Sequence, residues 1–206
     1  MVQSHLENCR VLPVITAYDV ETTVRLTRTL LQGGMRAVEI TLRTEAALDS
    51  IRAVKAEIPD ALVAAGTVTN PDDLGRAMEA GADFCVSPGL TDGLLRAASE
   101  TGVDFVPGVA TASEIMLGMD FGYHCFKLFP AVAVGGINLI KSLAGPFPDL
   151  YFCPTGGLNQ QNFRQFLALP NVICCGGSWM VADELVNGGK WKQIEALAGE
   201  AMGNDE

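Results

Sequence analysis

Eight short apolar stretches recur along the 206-residue chain, with longer amphipathic segments between them. They are bounded by glycine or proline and are rich in valine, isoleucine and phenylalanine, a composition that predicts buried β-strands. Successive stretches begin 20 to 26 residues apart, which leaves room for one strand, one helix and two short loops. The stretches are VLPVI (11–15), AVEIT (37–41), LVAAG (62–66), FCVS (84–87), DFVPGV (104–109), CFKLF (125–129), YFCP (151–154) and VICCG (172–176).

The segments between the predicted strands carry the signals of helix ends. Residues that cap or open a helix precede them, and glycines follow. The residues predicted to begin helices are Asp19, Pro71, Thr91, Thr111 with Glu114 in a capping box, and Asn159. Strict alternation of strands and helices predicts parallel strands joined by helical crossovers.

Eight strands of this kind favour a closed (β/α)8 TIM barrel, forming a single domain over residues 1–206. An open doubly wound sheet is the alternative. Its dinucleotide-binding version carries a GxGxxG turn after the first strand, and this sequence has none there.

Composition narrows the range of partners. The formal charge of −10 and the isoelectric point near 4.6 disfavour nucleic acid and anionic membranes as partners. A small anionic ligand is still compatible, because backbone amides and one arginine can bind phosphate or carboxylate locally. No basic segment followed by an apolar stretch opens the sequence, and no run approaches the roughly 18 apolar residues of a membrane span. We therefore expect a cytoplasmic protein.

Cysteine and histidine usage argues against a metal centre. The six cysteines show no CxxC spacing, and most lie in apolar stretches, so we expect buried free thiols rather than disulfides or ligands. The chain has two histidines, too few to favour a histidine-based metal site. No metal and no cofactor are predicted.

Polar side chains alternate with apolar ones along the second predicted strand and the residues after it. In AVEITLRT the polar positions are Glu39, Thr41 and Arg43. Since alternate side chains point to opposite faces of a strand, an acid, a hydroxyl and a guanidinium should face the barrel mouth, where such barrels carry out chemistry. A structural ion pair between Glu39 and Arg43, or an ordinary half-exposed edge strand, is the alternative.

Lys127 lies in the apolar stretch CFKLF, where a buried ammonium is costly unless it is paired or neutralised. If Phe126 and Leu128 pack against helices, Lys127 points into the barrel. Desolvation favours the uncharged amine, which is a nucleophile that can form a Schiff base with a ketone. The structural alternative is a salt bridge between Lys127 and Glu39 that only fills the barrel.

Glycines follow the seventh and eighth predicted strands, in TGG (155–157) and GGS (176–178). Glycine lets backbone N–H groups approach an anion closely, and the hydroxyls of Thr155 and Ser178 add donors. Many barrels of this kind bind phosphate after these two strands. Two such glycine pairs on adjacent strands indicate a phosphate site, although either pair alone also fits an ordinary tight turn.

In order along the chain, VEITLRT, AAGTV, SPGLT, FKLFPA, CPTGG and GGSW resemble the motifs of the bacterial 2-keto-3-deoxy-6-phosphogluconate (KDPG) aldolase family, also active on 4-hydroxy-2-oxoglutarate (KHG). The resemblance runs from about Val11 to the C-terminal helix, and FKLFP with CPTGG and GGSW is its specific part. It implies a class I aldolase on a (β/α)8 barrel, usually a homotrimer, that needs no metal.

The resemblance also implies roles for individual residues. Lys127 matches the imine-forming lysine and Glu39 the general acid/base, and Phe129 would wall the pocket. Arg43 and Thr67 match the groups that contact the pyruvate part of the substrate. The residues that match the distal hydroxyl and phosphate end are Thr155, Gly156, Gly157, Gly177 and Ser178. The sequence departs from the family's pattern at Val132, because an acidic residue often follows FPA in the family.

Two other functions fit these residues. An isomerase or epimerase of sugar phosphates would use Glu39 as a base and would need no amine. A non-catalytic barrel would bind sugar phosphates through the glycine pairs without consuming them, and the presence of both Glu39 and Lys127 argues against it. Trapping a pyruvate adduct with borohydride separates an aldolase from both.

Overall fold

The computed structural model describes residues 2–7 and 9–203 as an α/β fold with parallel strands. The strands are β1 (Val11–Thr16), β2 (Ala37–Thr41), β3 (Leu62–Gly66), β4 (Phe84–Val86), β5 (Phe105–Val106), β6 (Gly108–Val109), β7 (Cys125–Leu128), β8 (Tyr151–Pro154) and β9 (Cys175–Gly177). The helices are α1 (Val2–Leu6), α2 (Val20–Gln32), α3 (Ala47–Glu57), α4 (Pro71–Glu79), α5 (Asp92–Thr101), α6 (Ala112–Asp120), α7 (Gly136–Leu143), α8 (Phe163–Leu167), α9 (Asp183–Asn187) and α10 (Trp191–Met202), with a 3-10 helix at Trp179–Val181.

The strands form two curled sheets in which all neighbours are parallel, so the predicted parallel α/β architecture is confirmed. One sheet has the order β5-β4-β3-β2-β1-β9 and the other the order β6-β7-β8. The fifth predicted strand is split into β5 and β6 at Pro107, because proline has no N–H to donate to a ladder. The eighth predicted strand also differs: β9 begins at Cys175, and Val172 contributes a single bridge to Phe152.

Four of the five predicted helix beginnings agree with the structure. Asp19 accepts a hydrogen bond from the Thr22 N–H, and α4 begins at the predicted Pro71. Thr91 and Thr111 also cap their helices, and the capping box of Thr111 with Glu114 is complete. The prediction at Asn159 is wrong. Its side chain accepts hydrogen bonds from the backbone N–H groups of Gln161 and Asn162 and so closes a turn. The helix after it begins at Phe163.

Each strand buries both faces, but against different surroundings. Val38 and Ile40 of β2, like Phe126 and Leu128 of β7, belong to the large apolar core that includes the helices. A second apolar cluster gathers residues from the opposite face, including Ala37 and others from the starts of the strands. The side chains at 39 and 127 therefore point toward the interior that the sheets enclose, away from the helices.

Helix α1, which the sequence analysis did not predict, covers the interior where the strands begin. Leu6 belongs to the interior cluster, and the His5 ring stacks on Phe84 with centroids 5.5 Å apart. All six cysteines are buried and free, as predicted. Within residues 2–7 and 9–203, no helix combines the length and the apolar character that crossing a bilayer requires.

Candidate active site

Lys127 and Glu39 form an ion pair in the interior, although 88 residues separate them in the sequence. The Lys127 ammonium donates hydrogen bonds to Oε1 of Glu39 at 2.9 Å and to Oε2 at 3.2 Å. Only 4% of Lys127 and 1% of Glu39 are exposed. A buried charge that loses its partner typically costs several kcal/mol, so each of these side chains holds the other in place.

Gly66 at the end of β3 makes room for the Glu39 carboxylate. A Cβ at this position would lie 2.2 Å from Oε1 of Glu39 and 2.6 Å from its Cγ, so any larger residue would displace the acid. The next residue, Thr67, has a φ of 60°. This left-handed conformation costs a β-branched residue about 1–3 kcal/mol and is found most often where function requires it.

The same Thr67 is paired with Arg43 beyond the end of β2. The Nε of Arg43 donates a hydrogen bond to the Thr67 hydroxyl at 3.1 Å. Because this bond uses only Nε, the remaining N–H groups of the guanidinium are left to bind a carboxylate. The two residues therefore place a cationic binding group just beyond the ends of β2, which carries Glu39, and β3, whose Gly66 makes room for it.

Phe129 and Thr155 lie directly beyond the ion pair, where β7 and β8 end. The Lys127 Nζ is 5.6 Å from the centroid of the Phe129 ring, a distance at which the ring face attracts a cation. Thr155 is buried, and its hydroxyl donates to the carbonyl of Cys153, the register partner of Lys127. An apolar ring and a threonine thus separate the ammonium from the space beyond the strands.

A cavity of about 490 Å³ opens beyond these strand ends, within the usual size of a small-molecule site. The residues of its wall that the sequence analysis selected are Arg43, Phe129, Thr155, Gly156, Gly157, Gly177 and Ser178. Lys127 and Thr67 adjoin this wall through Phe129 and Arg43, and Glu39 is joined to it through Lys127. The structure therefore brings all ten selected residues to one end of the sheets.

Part of the cavity wall is missing from the sequence prediction. The additional residues are Val14, Thr16, Leu158, Trp179, Val181, Ala182 and Asp183, whereas Gly176 belongs to the predicted glycine pair. Thr16 is missed because the first apolar stretch ends at Ile15, whereas β1 continues for one more residue. Its position directly after a predicted strand is the sequence feature that could have identified Thr16 as a cavity residue. The 3-10 helix with Trp179 and the short α9 with Asp183 carry no comparable pattern.

Charge is sparse in this wall. Its charged residues are Arg43 and Asp183, which carry opposite charges. An anion at the glycine end, the part of the wall formed by Gly156, Gly157, Gly176 and Gly177, would therefore depend on backbone amides and hydroxyls. Among residues 2–7 and 9–203, no group of three or more histidine, cysteine, aspartate or glutamate side chains is arranged to hold a metal ion.

The departure from the family pattern at Val132 lies against the glycine pair. Gly157 has a φ of 82°, and a Cβ there would lie 2.7 Å from the Cβ of Val132. The backbone N–H of Val132 donates to the carbonyl of Gly156 at 3.1 Å. Val132 therefore supports the turn through backbone and apolar contacts, and its side chain brings no charge to this end of the cavity.

Thiols fill the interior on the side of Lys127 where the strands begin. Cys174 donates a hydrogen bond to the Cys153 sulfur at 3.1 Å. This bond, with a smaller contribution from the Lys127 ammonium, lowers the pKa of the Cys153 thiol. The same bond raises the pKa of Cys174, and burial raises it further. Burial also raises the pKa of Cys125, to about 12.

Buried thiols make the stability of the protein sensitive to alkaline pH. Burial raises the pKa of Cys9 to about 11 and that of Cys85 to about 12, from an ordinary value of 9.0. Above pH 9 the folded state therefore binds more protons than the unfolded state, and the free energy of unfolding falls as pH rises. We expect a loss of roughly 1 kcal/mol per buried thiol between pH 8 and pH 10, measured by urea unfolding.

Cys85→Ala provides the control for this pH dependence, because it removes one buried thiol and leaves lysines and tyrosines unchanged. Between pH 8 and pH 10 the free energy of unfolding of the variant should fall less than that of the wild type, and the difference should equal the contribution of one buried thiol. Equal pH slopes for the two proteins would contradict the assignment to Cys85.

Comparison with known proteins adds independent information. A family model described as "KDPG and KHG aldolase" matches residues 2–197. A relative from Pseudoalteromonas atlantica named "2-dehydro-3-deoxy-phosphogluconate aldolase" is 50% identical over 93% of this chain and 89% of its own length. A relative from Escherichia coli named "KHG/KDPG aldolase" is 48% identical over 97% of this chain and 94% of its own length.

A solved structure is similar over almost the whole chain. It is the KDPG aldolase of Legionella pneumophila, described as holding pyruvate captured at low pH as a covalent carbinolamine intermediate. The two chains share 40% sequence identity and superpose with a TM-score of 0.95, and the match covers 98% of each.

Proposed function

The chain belongs to the KDPG and KHG aldolase family, and we propose that it is a class I aldolase that cleaves KDPG to pyruvate and glyceraldehyde 3-phosphate. The observation that supports this most strongly is the buried contact of 2.9 Å between the Lys127 amine and Glu39 beside a cavity. An ion pair alone would also suit a structural role. The cavity, and the covalent carbinolamine of the Legionella relative, favour a covalent mechanism instead.

In the proposed mechanism Lys127 forms a bond to the keto carbon of the substrate. Glu39 first takes a proton from the ammonium, since only the neutral amine carries the lone pair that attacks the ketone. Glu39 then returns this proton to the hydroxyl of the carbinolamine, which leaves as water, so a protonated imine forms and Glu39 is ionised again. The imine accepts the electron pair of the bond between carbons 3 and 4 when that bond breaks, which leaves an enamine and releases the aldehyde.

Glu39 is the residue positioned to move protons through this sequence. It takes the proton of the hydroxyl on carbon 4 as that oxygen becomes the aldehyde oxygen, directly or through a water molecule. It then returns a proton to the enamine carbon, and hydrolysis of the resulting imine releases pyruvate and regenerates Lys127. The contact of both Oε atoms with Nζ, at 2.9 and 3.2 Å, places the acid within transfer distance of the reacting nitrogen.

The two ends of the cavity bind the two charged ends of the substrate. Arg43 holds the carboxylate of the pyruvate part through its free N–H groups, and Thr67 keeps the guanidinium oriented. Phe129 excludes water from the imine. The residues that hold the distal hydroxyl and the phosphate are Thr155, Gly156, Gly157, Gly177 and Ser178. Fixing both ends places the keto carbon at the amine, which is the main benefit of remote binding groups.

Ser178→Ala tests the placement of the phosphate. We expect kcat/KM for KDPG to fall about three- to tenfold, because one hydroxyl donor to the phosphate is lost. The unphosphorylated analogue 2-keto-3-deoxygluconate should lose little. The assay couples pyruvate release to lactate dehydrogenase. Ser142→Ala, on the exposed face of α7, is the matched control and should leave both substrates unchanged. Equal losses for both substrates in Ser178→Ala would contradict the placement.

KHG is a second candidate substrate, supported by the name of the Escherichia coli relative. It has the same keto acid end and the same hydroxyl on carbon 4, so the proposed chemistry of Lys127 and Glu39 applies to it unchanged. Its products would be pyruvate and glyoxylate. It has no phosphate, so the glycine end would contribute less to its binding than to that of KDPG.

We also propose that the two sheets close into a single (β/α)8 barrel that forms one domain. The backbone runs through Pro107 from β5 to β6, and the Pro107 carbonyl accepts a hydrogen bond from the Lys127 N–H at 2.9 Å. At the other junction, single parallel bridges join Phe152 to Val172 and Thr155 to Gly176. Family membership further supports a homotrimer in the cytoplasm. Sedimentation equilibrium should then give three times the chain mass of 21.8 kDa.

A further inference from the structure

We propose that Thr16 is a further substrate-binding residue, whose hydroxyl binds the hydroxyl on carbon 5 of the sugar phosphate and so selects a hydroxylated aldehyde part. This inference rests on the proposed function, and it concerns the middle of the substrate rather than its two charged ends. Thr16 is the last residue of β1 and lines the cavity.

The position of β1 in the sheet places Thr16 between the acid and the glycine end. β1 lies between β2, which carries Glu39, and β9, which carries Gly177. Val14 pairs with Glu39 across one ladder, and Pro13 pairs with Gly177 across the other. Val14 and Thr16 point to the same face of β1 and both line the cavity, and Thr16 is nearer the C-terminal end of the strand.

The Thr16 hydroxyl is available for a ligand. Three hydroxyl side chains line the cavity, and that of Thr155 already donates to the Cys153 carbonyl. The hydroxyl of Thr41, the register partner of Thr16, donates to the Ile15 carbonyl. Within residues 2–7 and 9–203, the hydroxyls of Thr16 and Ser178 have no hydrogen-bond partner in the protein. Ser178 serves the phosphate in our proposal, which leaves Thr16.

One group of the substrate still lacks a hydrogen-bond donor, because the Thr155 hydroxyl, proposed to hold the distal hydroxyl, already donates to the Cys153 carbonyl and can only accept. Between the keto carbon at Lys127 and the phosphate at the glycines, KDPG carries hydroxyls on carbons 4 and 5. The first gives its proton to Glu39 on β2. The second is one carbon closer to the phosphate, and therefore lies on the path from β2 toward β9, which β1 borders. The free hydroxyl of Thr16 on β1 thus supplies the donor that Thr155 cannot supply to this group.

The test compares two aldehydes in the synthetic direction, with pyruvate as the common partner. Glyceraldehyde 3-phosphate carries the hydroxyl that becomes the one on carbon 5, and 3-phosphopropanal is the same molecule without it. We expect Thr16→Val, which keeps the shape of the side chain, to lose about tenfold in kcat/KM with glyceraldehyde 3-phosphate. With 3-phosphopropanal the loss should be less than about twofold, because no hydrogen bond is removed.

Two companion variants separate this role from a structural one. Thr16→Ser keeps the hydroxyl and should retain most of the preference for glyceraldehyde 3-phosphate. Ser178→Ala should weaken both phosphorylated aldehydes equally, because both carry the phosphate. Equal losses of Thr16→Val with both aldehydes, or no loss with either, would overturn the assignment of Thr16.

A failure of the proposed function would look different. If wild-type protein forms no pyruvate adduct under borohydride, the aldolase proposal fails and the assignment of Thr16 fails with it. If the wild type forms the adduct and condenses both aldehydes at equal rates, only the role of Thr16 is wrong.

Discussion

Lys127→Ala should abolish aldol cleavage, with kcat falling by at least about four powers of ten. The amine forms the bond that turns an unstabilised carbanion into an enamine, and within residues 2–7 and 9–203 no lysine lines the cavity to replace it. The change also leaves the Glu39 carboxylate buried without its partner at 2.9 Å, so the variant should unfold more easily. Turnover is measured by coupled release of pyruvate, on protein shown to be folded by circular dichroism.

Lys55→Ala is the matched control for this variant. Lys55 also forms a partly buried ion pair, with its Nζ 2.9 Å from Asp83, but it lies outside the cavity. The Lys55→Ala variant should be less stable than the wild type and should keep its turnover. Cleavage by folded Lys127→Ala protein at more than about one thousandth of the wild-type rate would rule out Lys127 as the nucleophile.

Glu39→Gln should lower kcat by two to four powers of ten, the usual contribution of a positioned acid or base. Glutamine has nearly the same shape and still fits beside Gly66, but it cannot take a proton from the ammonium or from the hydroxyl on carbon 4. Because imine formation and bond cleavage both use this acid, rapid-quench measurements should show slow adduct formation as well as slow turnover.

Asp83→Asn makes the same chemical change in the other lysine–carboxylate pair. It removes the charge next to Lys55, 2.9 Å away, and should reduce stability with kcat within about twofold of the wild type. If Glu39→Gln kept near-normal turnover, Glu39 would be only the structural partner of Lys127.

The inward orientation of the central pair was predictable because a strand alternates its side chains. Val38 and Ile40 are apolar, and so are Phe126 and Leu128, so the intervening Glu39 and Lys127 had to face the other side. The closeness of two residues 88 positions apart depends on which strands enclose the same interior, and no local pattern contains that information. The uncharged state of Lys127 stays a prediction, and the adjacent carboxylate indicates how the amine becomes neutral.

The errors of the sequence analysis have local physical causes. The fifth predicted strand is continuous, but Pro107 removes one donor from its ladder and splits it into β5 and β6. The first predicted strand ends at Ile15, whereas β1 continues through Thr16, since threonine suits a strand, and this missed residue lines the cavity. Asn159 has the side chain of a helix cap but closes a turn, and the helix begins at Phe163.

The distal wall was the hardest part to predict. Trp179 lies in a 3-10 helix, and its ring packs against Gly177, so the GGSW motif contributes a side chain as well as glycines. Asp183 begins a helix too short to show a periodic pattern. Wall residues of this kind come from loops, whose positions depend on the sheets beneath them.

The covalent bond at Lys127 is the central claim, and mass spectrometry tests it most directly. Wild-type protein is incubated with pyruvate, reduced with borohydride, digested and mapped. The proposed mechanism predicts one reduced pyruvate adduct per chain, on the peptide that contains Lys127. An adduct on another lysine, or none under conditions in which the enzyme turns over, would contradict it.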